Sequence, residues 1–118
     1  MPIATTIRLN AADRVLRVEF DDGTTSSLPA EYLRVESPSA EVQGHSPDQK
    51  RIVAGKRSVA IVGIEPVGNY AVRLLFDDRH DTGIYSWEYL YELGQQQEQR
   101  WCAYLAALQE RGLTRDVA

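Results

Sequence analysis

The chain has 118 residues, 43% hydrophobic and 25% charged, which suits one globular domain able to bury its core without metal or disulfide support. Its formal net charge of −4 argues against binding nucleic acid through phosphates, which needs a basic face, and against anionic membrane surfaces. The single cysteine, Cys102, rules out an internal disulfide or a cysteine-rich zinc site and suits a reducing, cytoplasmic setting; no apolar run reaches the ~18 residues of a membrane span, and MPIATTIRLNAADR lacks the apolar stretch of a secretory signal.

In chain order, residues 5–9 (TIRLN) and 14–20 (RVLRVEF) are expected as strands joined by a turn around Ala11–Asp13. Leu16, Val18 and Phe20 take the buried face. Asp21, Asp22 and Gly23 form a hairpin signal, and Thr24–Leu28 is the returning strand. Pro29 suits a helix start, and PAEYLRV makes a short helix or helical turn. Residues 36–57, with two prolines, two glycines and three serines, read as a long loop with little regular structure.

SVAIVGIEPV and YAVRLLF are strong strands around a Gly68–Asn69 turn, with Pro66 marking an edge or a bulge. FDDRHDTGIYS leads into a helix capped by Ser86, with Trp87, Leu90, Tyr91 and Leu93 on its apolar face and Gly94 at its end. QQQEQRWCAYLAALQERG is a second helix or its continuation. Trp101, Tyr104, Leu105 and Leu108 form one stripe on it, and Gly112 closes it. FDDGTTSSLPAEYL (20–33) and FDDRHDTGIYSWEYL (76–90) echo each other as two strand-turn-helix units. Paired aspartates serve both turns because Asp side chains bond nearby backbone N–H groups.

His80, among Asp77, Asp78 and Asp81, is the obvious candidate for chemistry. Neighbours in a tight turn point in different directions, which is poor geometry for one ion, and no second histidine stands nearby to complete a two-His-one-carboxylate set. His45, the other histidine, lies in the 36–57 loop. A buried, hydrogen-bonded turn histidine is the blander reading and the preferred one. No GxSxG, P-loop or Rossmann fingerprint is present. Cys102 reads as a small packed residue, and the aromatics at 85, 87, 89 and 91 read as core with an exposed remainder.

LRVESPSAEV (33–42), VGIEPVGNYAVRLLFDD (62–78) and HDTGIYSWEYLYELG (80–94) together resemble the DUF971 family, also named the gamma-butyrobetaine hydroxylase-like N-terminal domain. The resemblance covers roughly residues 8–94 and implies a domain at 1–94 with a helical extension at 95–118. In carnitine-synthesis oxygenases the family's domain carries a zinc on three cysteines and one histidine. Those cysteine positions fall on Ser37, Ser39 and Val42, the histidine is His80, and Arg79 replaces the usual glycine. Serine hydroxyls are poor zinc ligands and valine is none. The resemblance therefore implies a degenerate site, no bound cofactor, and a His80 that ties the 77–83 turn to the 37–45 loop, with Glu36 or Glu41 as its carboxylate partner.

The expected fold is α+β: a mostly antiparallel sheet of about five or six strands with the C-terminal helix packed on one face. The expected function is that of a non-catalytic accessory or protein-interaction domain, monomer or weak homodimer, with an unidentified protein partner linked to iron–sulfur or iron-dependent oxygenase proteins. The oxygenase domain itself has no room in this length. One rival is a metal-binding protein holding zinc or iron on His80 with Asp77, Asp78 or Asp81. The other is a small-molecule enzyme in which Arg34, Glu41, His80 and Asp78 converge.

Overall fold

The structure, a computed structural model, describes residues 2–44 and 50–116. Strands β1 (Ala4–Asn10), β2 (Val15–Phe20) and β3 (Thr25–Pro29) form one antiparallel sheet in that order. Strands β4 (Ile61–Val67), β5 (Ala71–Phe76) and β6 (Gly83–Ser86) form a second. Helix α1 (Ala30–Val35) continues directly from β3, and α3 (Trp87–Gln95) directly from β6. The short α2 (Ala40–Gln43) lies between the sheets in sequence, and α4 (Gln97–Glu110) comes last.

The single sheet of five or six strands with one packed helix is therefore incorrect. The described residues form two separate three-stranded sheets and four helices. The physical reason lies at the strand ends. β3 runs straight into α1 and β6 into α3, so the chain leaves each sheet after its third strand. β4 has an edge that pairs with nothing among the described residues, carrying Pro66, which has no N–H to donate, and a register shift between Ile61 and Gly63. Two further elements differ from expectation: β6 occupies residues read as a turn, and α2 interrupts the expected 36–57 loop. His45 lies outside the described residues.

The sequence echo corresponds to a duplicated hydrogen-bond pattern. In the first unit Gly23 N–H donates to Phe20 O at 3.1 Å and Phe20 N–H to Thr24 O at 2.9 Å. In the second, Arg79 N–H donates to Phe76 O at 3.2 Å and Phe76 N–H to His80 O at 3.0 Å. Asp22 caps Thr24 N–H as Asp78 caps His80 N–H, and Asp21 and Asp77 each hold a backbone N–H, those of Ile3 and Ala60. The helices then exchange staples: Tyr32 of α1 donates its hydroxyl to Leu93 O of α3, and Tyr89 of α3 donates to Glu36 O just past α1.

The two sheets and two helices share one core. Leu16, Val18 and Leu28 come from the first unit, and Leu74, Tyr85 and Leu90 from the second. Period-two alternation puts Leu16, Val18 and Phe20 inside and Arg17 outside. Each such fully buried aliphatic or aromatic side chain contributes about 1.5–3 kcal/mol. Helix α4 adds a second cluster, with Tyr104 and Leu108 against Val35, Ile52 and Val53. Beyond α4 the tail turns back, where Gly55 and Arg57 donate N–H to the carbonyls of Thr114 and Arg115, both at 3.0 Å.

Candidate functional site

The turn after β5 presents His80. Its backbone is fixed on both sides: Phe76 N–H donates to its carbonyl, and its own N–H donates to Asp78 Oδ1 at 3.1 Å. Arg79 reaches this arrangement with φ of 71°, in the left-handed region that favours glycine. The imidazole is thereby aimed at the segment following α1. Nε2 lies 2.8 Å from Ser37 Oγ, and Nδ1 lies 3.2 Å from Glu41 Oε2. A carboxylate only accepts, so Nδ1 carries the proton and Nε2 accepts from the Ser37 hydroxyl.

The segment 37–43 is organised around the same atoms. Ser39 caps α2, accepting from Glu41 N–H at 3.2 Å, and pairs with Thr82 Oγ1 at 2.8 Å. Gln43 donates to Ser37 O at 2.8 Å. Two residues thus join the 80–82 segment to the 37–43 segment: His80 through Ser37 and Glu41, and Thr82 through Ser39 and Glu41. Of the two carboxylates expected beside His80, Glu41 takes the role. Glu36 instead accepts from Lys50 at 2.7 Å and from Arg100 at 3.3 Å.

Of the four positions that the resemblance implies as ligands, Ser37 and His80 touch, Ser39 stands beside them, and Val42 is buried on α2. Two hydroxyls, a valine and one imidazole, already hydrogen-bonded among themselves, do not fit zinc. Among the described residues no three His, Cys, Asp or Glu side chains cluster closely enough to hold a metal ion. The aspartates of the turn point elsewhere. Asp77 holds Ala60 N–H, Asp78 pairs with Arg34 Nε at 2.8 Å and Lys56 Nζ at 2.6 Å, and Asp81 is exposed.

Ser37, His80 and Glu41 have the connectivity of a Ser-His-acid relay. They do not have its access. Ser37 is 0% exposed, and a Cβ placed on Gly83 would stand 2.7 Å from its Oγ, so the space beside the hydroxyl is filled. Neither Ser37 nor His80 lines the neighbouring cavity formed by Arg34, Glu41, Val42 and Arg51. A substrate carbonyl has no approach to this oxygen. The arrangement holds two segments together.

The charges fit that role. Burial holds the His80 imidazole below its ordinary pKa, the nearby Arg34 charge adds to this, and Glu41 opposes it. For Asp78, burial pulls upward, but hydrogen bonds from Lys56 and Arg34 outweigh it and bring the group to about 2. Arg34 is thus committed to Asp78 through Nε, while its Nη1 is buried with no hydrogen-bond partner among the described residues. The convergence expected of Arg34, Asp78, His80 and Glu41 occurs as two separate pairs, Arg34 with Asp78 and His80 with Glu41. Two further residues, Lys56 and Thr82, join these pairs without being expected from the sequence. Nothing in local spacing points to Lys56, 22 residues from Asp78, while Thr82 is the last residue of the HDT run.

Comparison with known proteins places these observations. Residues 7–91 match the family described as gamma-butyrobetaine hydroxylase-like, N-terminal. Two solution NMR structures are 47% identical to the chain, with TM-scores of 0.84 and 0.85. Each alignment covers 98% of this chain and 91% or 86% of the other, and so takes in α4. A crystal structure of a protein of unknown function of the DUF971 family, from Acidithiobacillus ferrooxidans, is 45% identical. It aligns over 77% of this chain and 91% of its own with a TM-score of 0.66. No curated protein matches the chain.

Proposed function

We propose that this chain, which belongs to the gamma-butyrobetaine hydroxylase-like N-terminal (DUF971) family, serves as a non-catalytic protein-interaction domain. The family domain occupies 1–94 and the helical extension 95–118. The observation that carries the reading is the sealed Ser37. Among the described residues, the Ser37–His80–Glu41 cluster has catalytic connectivity yet faces inward and joins 37–43 to 80–82. Further support comes from large apolar side chains left in solvent on and beside the second sheet: Val62, Tyr70 and Ile84. The proposed partners are iron–sulfur or iron-dependent oxygenase proteins, in line with the hydroxylase-like proteins for which the family is named.

Among the described residues no helix is long and apolar enough to cross a membrane, and the formal charge of −4 offers phosphates little attraction. Site-specific photo-crosslinking from positions 62 and 84 in cells tests the reading. A discrete protein adduct, lost when Val62 and Ile84 are both replaced by serine, supports it. Background labelling alone from both positions removes it. Elemental analysis of protein purified without chelators tests the metal-binding alternative. One zinc or iron per chain, lost in H80A, would establish that alternative instead.

A further inference from the structure

α1, the α3–α4 junction and the tail enclose a cavity of about 670 Å³ lined by Glu31, Tyr32, Gln97, Glu98, Trp101 and Arg115. At its wall the Glu31 carboxylate, only 6% exposed as a residue, receives both of its hydrogen bonds from one guanidinium. Arg115 Nε reaches Oε2 at 2.8 Å and Arg115 Nη2 reaches Oε1 at 2.7 Å. The same guanidinium lies 5.2 Å over the Trp101 ring. A buried carboxylate facing a planar fork, beneath an indole face, is built for arginine: lysine supplies neither the fork nor the stacking plane. Here the occupant comes from the chain's own tail.

The tail is held outside this pair by little. Two backbone hydrogen bonds join 114–115 to 55–57, and the Arg57–Asp116 ion pair is exposed. Glu98 is exposed on the rim and joins no ion pair among the described residues, so the cavity beyond Arg115 has a second carboxylate to offer. Apart from Arg115 itself, the charged lining is acidic.

We propose that this cavity is a recognition site for an arginine on a partner protein's peptide segment, and that Arg115 occupies it in cis until the partner's arginine replaces it. The inference rests on the interaction-domain reading and names the chemistry of its partner.

The test uses the full chain, wild type and R115A. Each is titrated with a capped Gly-Gly-Arg-Gly-Gly peptide, its citrulline analogue and its lysine analogue, and Trp101 emission is followed. Removing the internal competitor should tighten binding of the arginine peptide on the order of tenfold. The citrulline and lysine peptides should bind neither protein comparably, and E31Q/R115A, which leaves no orphaned charge, should lose the gain. Equal binding by wild type and R115A, or no discrimination between arginine and citrulline, overturns the proposal. Should R115A be unfolded alone, the readout is its refolding by the peptide, and failure of the arginine peptide to raise the folded fraction also overturns it. These outcomes read one pocket. Their failure leaves the crosslinking test of the interaction reading untouched, and failed crosslinking at Val62 and Ile84 leaves the peptide result intact.

Discussion

Arg79 stands in the second unit where Gly23 stands in the first. Both have positive φ, 71° and 87°, and both donate N–H to the carbonyl of the phenylalanine three residues earlier. Left-handed backbone costs a residue bearing a Cβ about 1–2 kcal/mol, and glycine escapes this. The Arg79 side chain is exposed, so little packing is lost on removing it. R79G should therefore raise unfolding free energy by about 1 kcal/mol. Urea denaturation checks this; an unchanged or lowered midpoint would show that Arg79 makes a compensating contact.

His80 joins 80–82 to 37–43 by side-chain contacts alone. Truncation in H80A removes both and leaves the buried Ser37 hydroxyl short of a partner, at a cost of about 1–3 kcal/mol. The loss should be local as well as global. Amide hydrogen exchange at residues 37–44 should quicken more than in β2, and equal protection factors in both proteins would refute the tie.

The pH dependence has a definite sign. Burial lowers the His80 pKa below its unfolded value of about 6.5, so the unfolded chain binds the extra proton first. The stability this group contributes is complete above that value and is lost as pH falls through the folded pKa. Asp78, brought to about 2, adds a loss that begins below the ordinary carboxylate value and completes near its folded one. Denaturation midpoints between pH 7 and 5 should thus decline in the wild type and decline less in H80A. Parallel curves would assign the slope to other groups.

Gly94 meets the first sheet too closely for any side chain. A Cβ there would lie 2.2 Å from Ser26 Oγ and 2.9 Å from Ser26 Cβ. G94A should destabilise by about 1–3 kcal/mol, as overpacking does. S26A removes the nearer atom and should recover part of that loss. An additive double mutant would refute the contact.

Restoring three thiols tests whether the backbone still describes a metal site. S37C/S39C/V42C, with His80 retained, should take up one zinc per chain and gain thermal stability on loading, since bound metal stabilises the folded form. The wild type should show neither effect by elemental analysis or thermal melts. A triple variant that folds yet takes no zinc would show that the four positions have moved apart.

Much of this was legible in the sequence because local rules governed it. Leu16, Val18 and Phe20 declare β2 by alternation, and Ser86 caps α3 through Tyr89 N–H at 3.1 Å. The tie from His80 to Glu41 was legible only through the family resemblance, since 39 residues separate the pair. β6 was hidden because four residues, GIYS, lie between a turn and a helix and carry too little periodicity to register. The split into two sheets was hidden for a different reason. Strands with suitable faces say nothing about which ladders form, and β3 and β6 each end by running into a helix. Lys56, Thr82 and the Glu31–Arg115 pair depend on approaches across the fold that no spacing encodes.

The exchanged tyrosines carry a consequence for how the domain fails. Tyr32 and Tyr89 each complete the helix end of the other unit, so neither unit has its full set of bonds alone. Damage in one unit should therefore be registered in the other, and melting should proceed as a single event. At the two turns the matching positions differ: one carries Gly23 and Thr24, the other Arg79 and His80.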